Sequence, residues 1–208
     1  MAETRQRIGN IALSRSGFLR RGAVGGGALI ASASGLGALA PAAFADGVPA
    51  GDLAYLRLLI ASELLAGDFY RQALYAGVLG ARATAVASRI SADESEHYTV
   101  LAALMTADGQ TPATAGDIDF SYPARTFASR RSILSFAKEL ERRLTGAYVD
   151  ALEQVQTPKY REAMARILAS EAQHHGAVAS LWGEPVIGKP SSPVRMDAMS
   201  NFLGRYES

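Results

Sequence analysis

Cysteine is absent from the 208 residues, and histidine occurs only three times. Without Cys there is no disulfide framework, no thiolate nucleophile, no iron–sulfur cluster and no thiolate zinc site. Any metal must be held by His, Asp, Glu or backbone oxygen, so the positions of His97, His174 and His175 carry information. A large charge of either sign is also missing, since the formal net charge is +1. Alternating apolar and polar runs, the mark of a half-buried strand, do not occur.

The near-neutral balance hides a split. Residues 1–45 hold five of the 21 basic residues and one of the 20 acidic ones, which leaves 16 basic and 19 acidic in the remainder. A body with a net charge of −3 is a poor match for nucleic acid, which excludes that partner class. Hydrophobic residues make up 49% of the chain, enough for a real core, and the length suits one domain with appendages.

Residues 1–45 read as an export signal. Arg15, Arg20 and Arg21 form a basic region, and Gly22 to Ala40 follows without charge. Pro41 breaks that run, and Ala43-Phe44-Ala45 gives the small-x-small pattern of a cleavage site, which places the cut before Asp46. A retained membrane anchor is the competing reading, but six Gly and few large apolar residues make the run a weak span. Ser14-Arg15-Ser16-Gly17-Phe18-Leu19-Arg20 resembles the twin-arginine signal Ser-Arg-Arg-x-Phe-Leu-Lys, with Ser16 where the second Arg should stand. The twin-arginine and general secretory routes both stay open. Either predicts a protein exported to the periplasm, the cell envelope or the medium, with no membrane span after cleavage.

The body, residues 46–183, reads as four helices. Apolar positions recur at helical spacing over 52–79, 81–107, 128–156 and from Pro158 to about Trp182. Asp52 is the expected cap of the first helix and Gly80 its end. Thr157-Pro158 reads as an N-cap followed by Pro at the first helical position. Residues 109–125 contain four Pro or Gly breakers and no periodicity. In the tail, 184–208, one short amphipathic helix is expected from Met196 to Tyr206. Two short links and one long one predict an all-α antiparallel four-helix bundle with a long crossover between helices two and three.

A motif occurs twice, once per hairpin. Glu63 is followed seven residues on by Tyr70, and Glu141 seven residues on by Tyr148. Glu94-Ser95-Glu96-His97 begins 31 residues after Glu63, and Glu171-Ala172-Gln173-His174 begins 30 residues after Glu141. Glu and His at i and i+3 share a helix face about 5–6 Å apart at Cβ, which suits two side chains gripping one ion. Each of the four carboxylates also falls on an apolar stripe, and bare carboxylates facing a core would cost several kcal/mol each. Two divalent cations would neutralise four carboxylates and leave both imidazoles neutral. Oxygen and imidazole donors suit iron or manganese. Glu139 competes with Glu141 and His175 with His174, but Glu139 breaks the repeat spacing and His175 faces sideways. Asp93 and Glu96 read as solvated.

This pattern resembles the di-iron ferritin-like superfamily, with one Glu from each of two helices and Glu-x-x-His from each of the other two. The resemblance covers about residues 52–182. More narrowly, the chain is similar to exported bacterial ferritin-like domain proteins that carry a signal peptide. By position, the resemblance implies that Glu63 and Glu141 are terminal ligands, that Glu94 and Glu171 bridge two metals, and that His97 and His174 complete one metal each. It implies that Tyr70 and Tyr148 donate hydrogen bonds to the carboxylates. The implied cofactors are two iron or manganese ions per chain, and the implied partners are dioxygen or peroxide, with a homo-oligomer left open. Oxidoreductase chemistry follows from that set; a structural or desiccation-protective envelope bundle is the alternative.

Overall fold

The computed structural model describes residues 47–187 and 191–207. The expected export signal lies outside the described residues. Four long helices dominate: α1 (Ala50–Tyr75), α2 (Ala81–Ala107), α3 (Arg130–Gln154) and α4 (Pro158–Trp182), followed by the short α5 (Met196–Leu203). Among the described residues the only extended pairing is an isolated antiparallel bridge between Phe120 and Glu207.

The neighbour relations fix the wiring. α1 packs on α2 and α3, while α4 packs on α3 and α2, so α2 and α3 stand on a diagonal. Asp108, at the end of α2, bonds Lys159 and Tyr160 at the start of α4. Arg130, at the start of α3, donates to the Leu181 carbonyl at the end of α4. The link from α2 to α3 therefore runs from one pole of the bundle to the other, the single long crossover of a ferritin-like bundle. A helix of 25 residues is about 38 Å long, and the residues between α2 and α3 can extend well beyond that.

Each long helix has a local reason to start or stop. Ser129 caps α3, accepting from the Ser132 amide, and Ser132 returns the bond to the Ser129 amide. Pro158 stands at the first turn of α4, and Gly183 ends it in the left-handed region at φ 94°. Two expectations about α1 are corrected. Its helix starts at Ala50, two residues before Asp52, and stops at Tyr75, because Gly77 takes the left-handed turn before Gly80 is reached. Gly80 instead stands immediately before α2.

Asp52 is buried and works across the bundle. Its carboxylate accepts from the amides of Gln156 and Thr157 and from the Thr157 hydroxyl. Thr157 holds the expected N-cap position, but its side chain is spent on Asp52 and does not cap α4. The short tail helix is present and ends at Leu203, three residues before the expected limit. It packs on α1 and α3.

The crossover and tail hold each other. The Ser121 amide donates to the Tyr206 carbonyl, and Tyr122, Phe136, Phe202 and Tyr206 form edge and tilted ring contacts. Among the described residues no helix is long and apolar enough to cross a membrane.

Candidate metal centre

All six proposed ligands converge. Glu63 comes from α1, Glu94 and His97 from α2, Glu141 from α3, and Glu171 and His174 from α4. Each sits on its helix's apolar stripe, so the packing that buries Ile60, Ile90, Leu140 and Ile167 also buries the ligands. The four carboxylates are at most 1% exposed, and the two imidazoles 7% and 4%.

The donor atoms fall into two overlapping sets. Glu63, Glu94, His97 and Glu171 form one, and Glu94, Glu141, Glu171 and His174 the other, with the atoms of each within 4.8 Å of one another. Glu94 and Glu171 belong to both. His97 Nδ1 lies 3.0 Å from Glu171, 3.4 Å from Glu94 and 3.5 Å from Glu63. His174 Nδ1 lies 3.3 Å from Glu94, 3.7 Å from Glu171 and 3.9 Å from Glu141. Bonds of about 2.0–2.2 Å to a divalent ion put neighbouring ligand atoms about 3 Å apart, so these spacings fit.

Among the described residues, every buried side-chain nitrogen or oxygen without a hydrogen-bond partner belongs to these six side chains. They are Glu63 Oε2, both oxygens of Glu94 and of Glu171, Glu141 Oε2, and Nδ1 of His97 and of His174. Orphaned buried polar atoms are costly and rare, and here they cluster at one point. The two remaining carboxylate oxygens are satisfied: Tyr148 donates to Glu63 Oε1 and Tyr70 to Glu141 Oε1. Each tyrosine thus serves the glutamate of the other hairpin.

The proton affinities show the strain of the metal-free set. Burial pushes Glu94 well up, and the charges of Glu171 and Glu63 push it further. Burial and the Glu171 charge raise Glu141 despite the bond from Tyr70. Burial takes Glu171 up to about 7, with the Glu63 charge adding and His97 opposing. Burial acts the same way on Glu63, but bonds with Glu94, His97 and Tyr148 hold it below the ordinary value. Burial would lower His97, yet its bonds to Glu171 and Glu63 carry it up to about 10. Burial and mutual charge thus disfavour four bare carboxylates at this point, a cost that a bound cation would offset.

The profile of the ferritin-like domain family matches residues 51–184. The chain belongs to the ferritin-like domain family. A comparison with curated proteins found no match.

In this ferritin-like chain Glu139 and His175 lie outside both donor sets. Glu139 is half-buried and pairs with Arg142 and Arg143. His175 lies outside both donor sets, half-buried among the charges of Arg142, Glu184 and Lys138. Glu96 is exposed, as expected. Asp93 is a correction. Its side chain is 14% exposed, and its Oδ2 lies 3.3 Å from His174 Nε2 while Arg89 holds it from outside. Asp93 thereby fixes the ring whose other nitrogen faces the carboxylates. Only its place beside Glu94, with Arg89 one turn earlier, hinted at this in the sequence.

Proposed function

We propose that this protein is exported and holds two ions, iron or manganese, for oxidoreductase chemistry with ferrous iron, dioxygen or peroxide. The observation that supports it best is the set of unpartnered ligand atoms, buried in two groups that share Glu94 and Glu171. Glu63 and His97 would complete one ion, and Glu141 and His174 the other. Four carboxylates balance two divalent charges, and a thiolate-free oxygen and imidazole set suits iron or manganese. When bound, such ions exchange electrons with an oxidant.

The protein's own part is positioning. Tyr70 and Tyr148 fix one oxygen of Glu141 and of Glu63 and leave the other oxygen for an ion. Asp93 orients His174. The apolar residues around the ligands exclude water and lower the local dielectric, so anionic ligands favour the more highly charged metal. Export rests on the basic, uncharged and small-x-small order of residues 1–45. Protein recovered from outside its host's cytoplasm should begin at Asp46, and an intact Met1 in that pool would refute cleavage.

Elemental analysis of protein purified from its own host should find about two ions per chain. Ferrous protein mixed with oxygen or peroxide in a stopped-flow cell should oxidise faster than free ferrous iron. His97→Ala and His174→Ala should slow this more than His175→Ala. A loaded protein that oxidises no faster than free iron would make the envelope-protective bundle the better account.

A further inference from the structure

The ligands are walled off unequally. Between α1, α2 and crossover residues 115–120 lies a pocket of about 660 Å³. Glu63 and Glu94 form part of its lining, alongside Gly67 and Asp68 of α1 and Ser91 and Ser95 of α2. Both glutamates are buried and carry unpartnered oxygens, so the pocket ends at the ligands rather than running through them.

Small residues hold this space open. A Cβ on Gly67 would meet nothing within 4 Å. The matching positions on the other hairpin are filled. Thr145 stands four residues after Glu141, as Gly67 stands four after Glu63. It is buried, and its hydroxyl bonds the carbonyls of Glu141 and Glu171. Gly146, the next residue, lies under the tail: a Cβ there would come within 2.5 Å of Val194 and 2.7 Å of the Ser192 carbonyl. Its counterpart in α1 is Asp68, a carboxylate on the pocket wall held by Gln72 and Tyr122 and ion-paired with Arg71, which also lines the pocket.

We propose that divalent cations reach the centre from one side only, through this pocket, and that Gly67 and Ser91 keep the passage open from opposite walls. The argument rests on the two-metal reading above. Asp68 stands along the approach as a carboxylate paired with Arg71, which also lines the pocket, and the unpartnered oxygens of Glu63 and Glu94 receive the ion at its inner end. Among the described residues, Thr145 fills the place that matches Gly67, and the tail covers Gly146 beside it.

The test uses folded, metal-free protein mixed with cobalt(II) alone. Stopped-flow absorbance of the bound ion reports the loading rate, and equilibrium dialysis reports the final stoichiometry. Gly67→Leu and Ser91→Leu fill the pocket from opposing helices and replace no ligand. Ala172→Leu, at the position of α4 that matches Ser95, is the control. Both plugs should load about tenfold or more slowly, because the ion must wait for a rarer opening. Their final stoichiometry should equal that of the wild type, and the control should load normally. Loading within about twofold of the wild type in both plugs, at full stoichiometry, would overturn the one-sided route. Wild type that takes up no cobalt would overturn the two-metal reading itself, a separate failure.

Discussion

The hairpin α1–α2 supplies Glu63, Glu94 and His97, and α3–α4 supplies Glu141, Glu171 and His174 at almost the same spacing. Around that shared pattern the two halves diverge. The first leaves Gly67 facing open space, whereas the second buries Thr145 and lays the tail on Gly146. The rings differ too. His174 is backed by Asp93, but the α4 position that matches Asp93 is Ser170, so no carboxylate reaches His97 from there. The repeated motif thus places matching donor side chains in both halves, while the layer around them differs. One half stays open to the outside, and the other is sealed.

The largest effect should come from removing what the halves share. Glu94→Ala with Glu171→Ala takes a ligand from both donor sets, so the metal content should fall from about two ions to near none. Adding a chelator should lower the melting midpoint of the wild type, since ions bound only by the folded state stabilise it by mass action. The double variant should show no such shift. A double variant with a full metal load would mean that the centre lies elsewhere.

Acidity tests the crowding of the shared centre. Glu94, Glu141 and Glu171 all have raised proton affinities in the fold, Glu171 to about 7. A folded state that holds protons the unfolded chain releases loses stability as pH rises. That contribution is fully present below the ordinary carboxylate value and is lost as pH climbs through the folded value. His97, raised to about 10, adds stability present below its ordinary value and lost as pH rises through about 10. His174, lowered chiefly by burial, works the other way as pH falls through its ordinary value. His175, also lowered chiefly by burial, acts in the same sense as His174. The three carboxyls with His97 outweigh these two rings, so the metal-free protein should melt lower at pH 8 than at pH 5. Each proton released is worth about 1.4 kcal/mol per pH unit. Loaded protein should show little of this slope, because cations replace the protons. Differential scanning calorimetry of both forms decides it, and parallel slopes would refute the exchange.

Asp93 probes the asymmetry between the rings. Asp93→Asn keeps the shape but removes the carboxylate behind His174, and losses of this kind typically cost about 10–100-fold in metal affinity. The loss should fall on one ion of the pair, with the other bound as in the wild type. A two-step titration with manganese would resolve them, and equal weakening of both steps would contradict the assignment.

The sequence made some of this legible and hid the rest for a physical reason. That Glu94 and His97, and Glu171 and His174, share a face is a local i and i+3 relation, and the repeat adds Glu63 and Glu141, so the six side chains that converge could be named in advance. Which carboxylate each tyrosine serves is a relation between helices, and Tyr70 and Tyr148 turn out to cross to the opposite hairpin. Asp93 and Asp52 read as surface and cap residues by local rules, yet both act on another helix. The pocket is less local still, since one wall is the crossover, whose path shows no periodicity. Residues 1–45 keep their reading from composition alone.

The smallest expected effect sets the open half against the sealed one with a single methyl group. Gly67 sits inside α1, where Gly is less favourable than Ala by roughly 0.5–1 kcal/mol, and its Cβ would meet open space. Gly67→Ala should therefore stabilise the protein by about that amount, since one methyl leaves most of the pocket clear. Gly146 also sits inside a helix, so propensity alone favours Ala there equally. Packing reverses the sign. The added carbon would press on the Val194 side chain and the Ser192 backbone, and Val194 is tied to this turn by the hydrogen bond its amide donates to the Gly146 carbonyl. Overpacking of this kind costs about 1–3 kcal/mol, which exceeds the helical gain. Urea unfolding curves of the two variants should move in opposite directions from the wild type. If Gly146→Ala proves as stabilising as Gly67→Ala, the tail does not seal the second hairpin, and the contrast between the halves loses its structural basis.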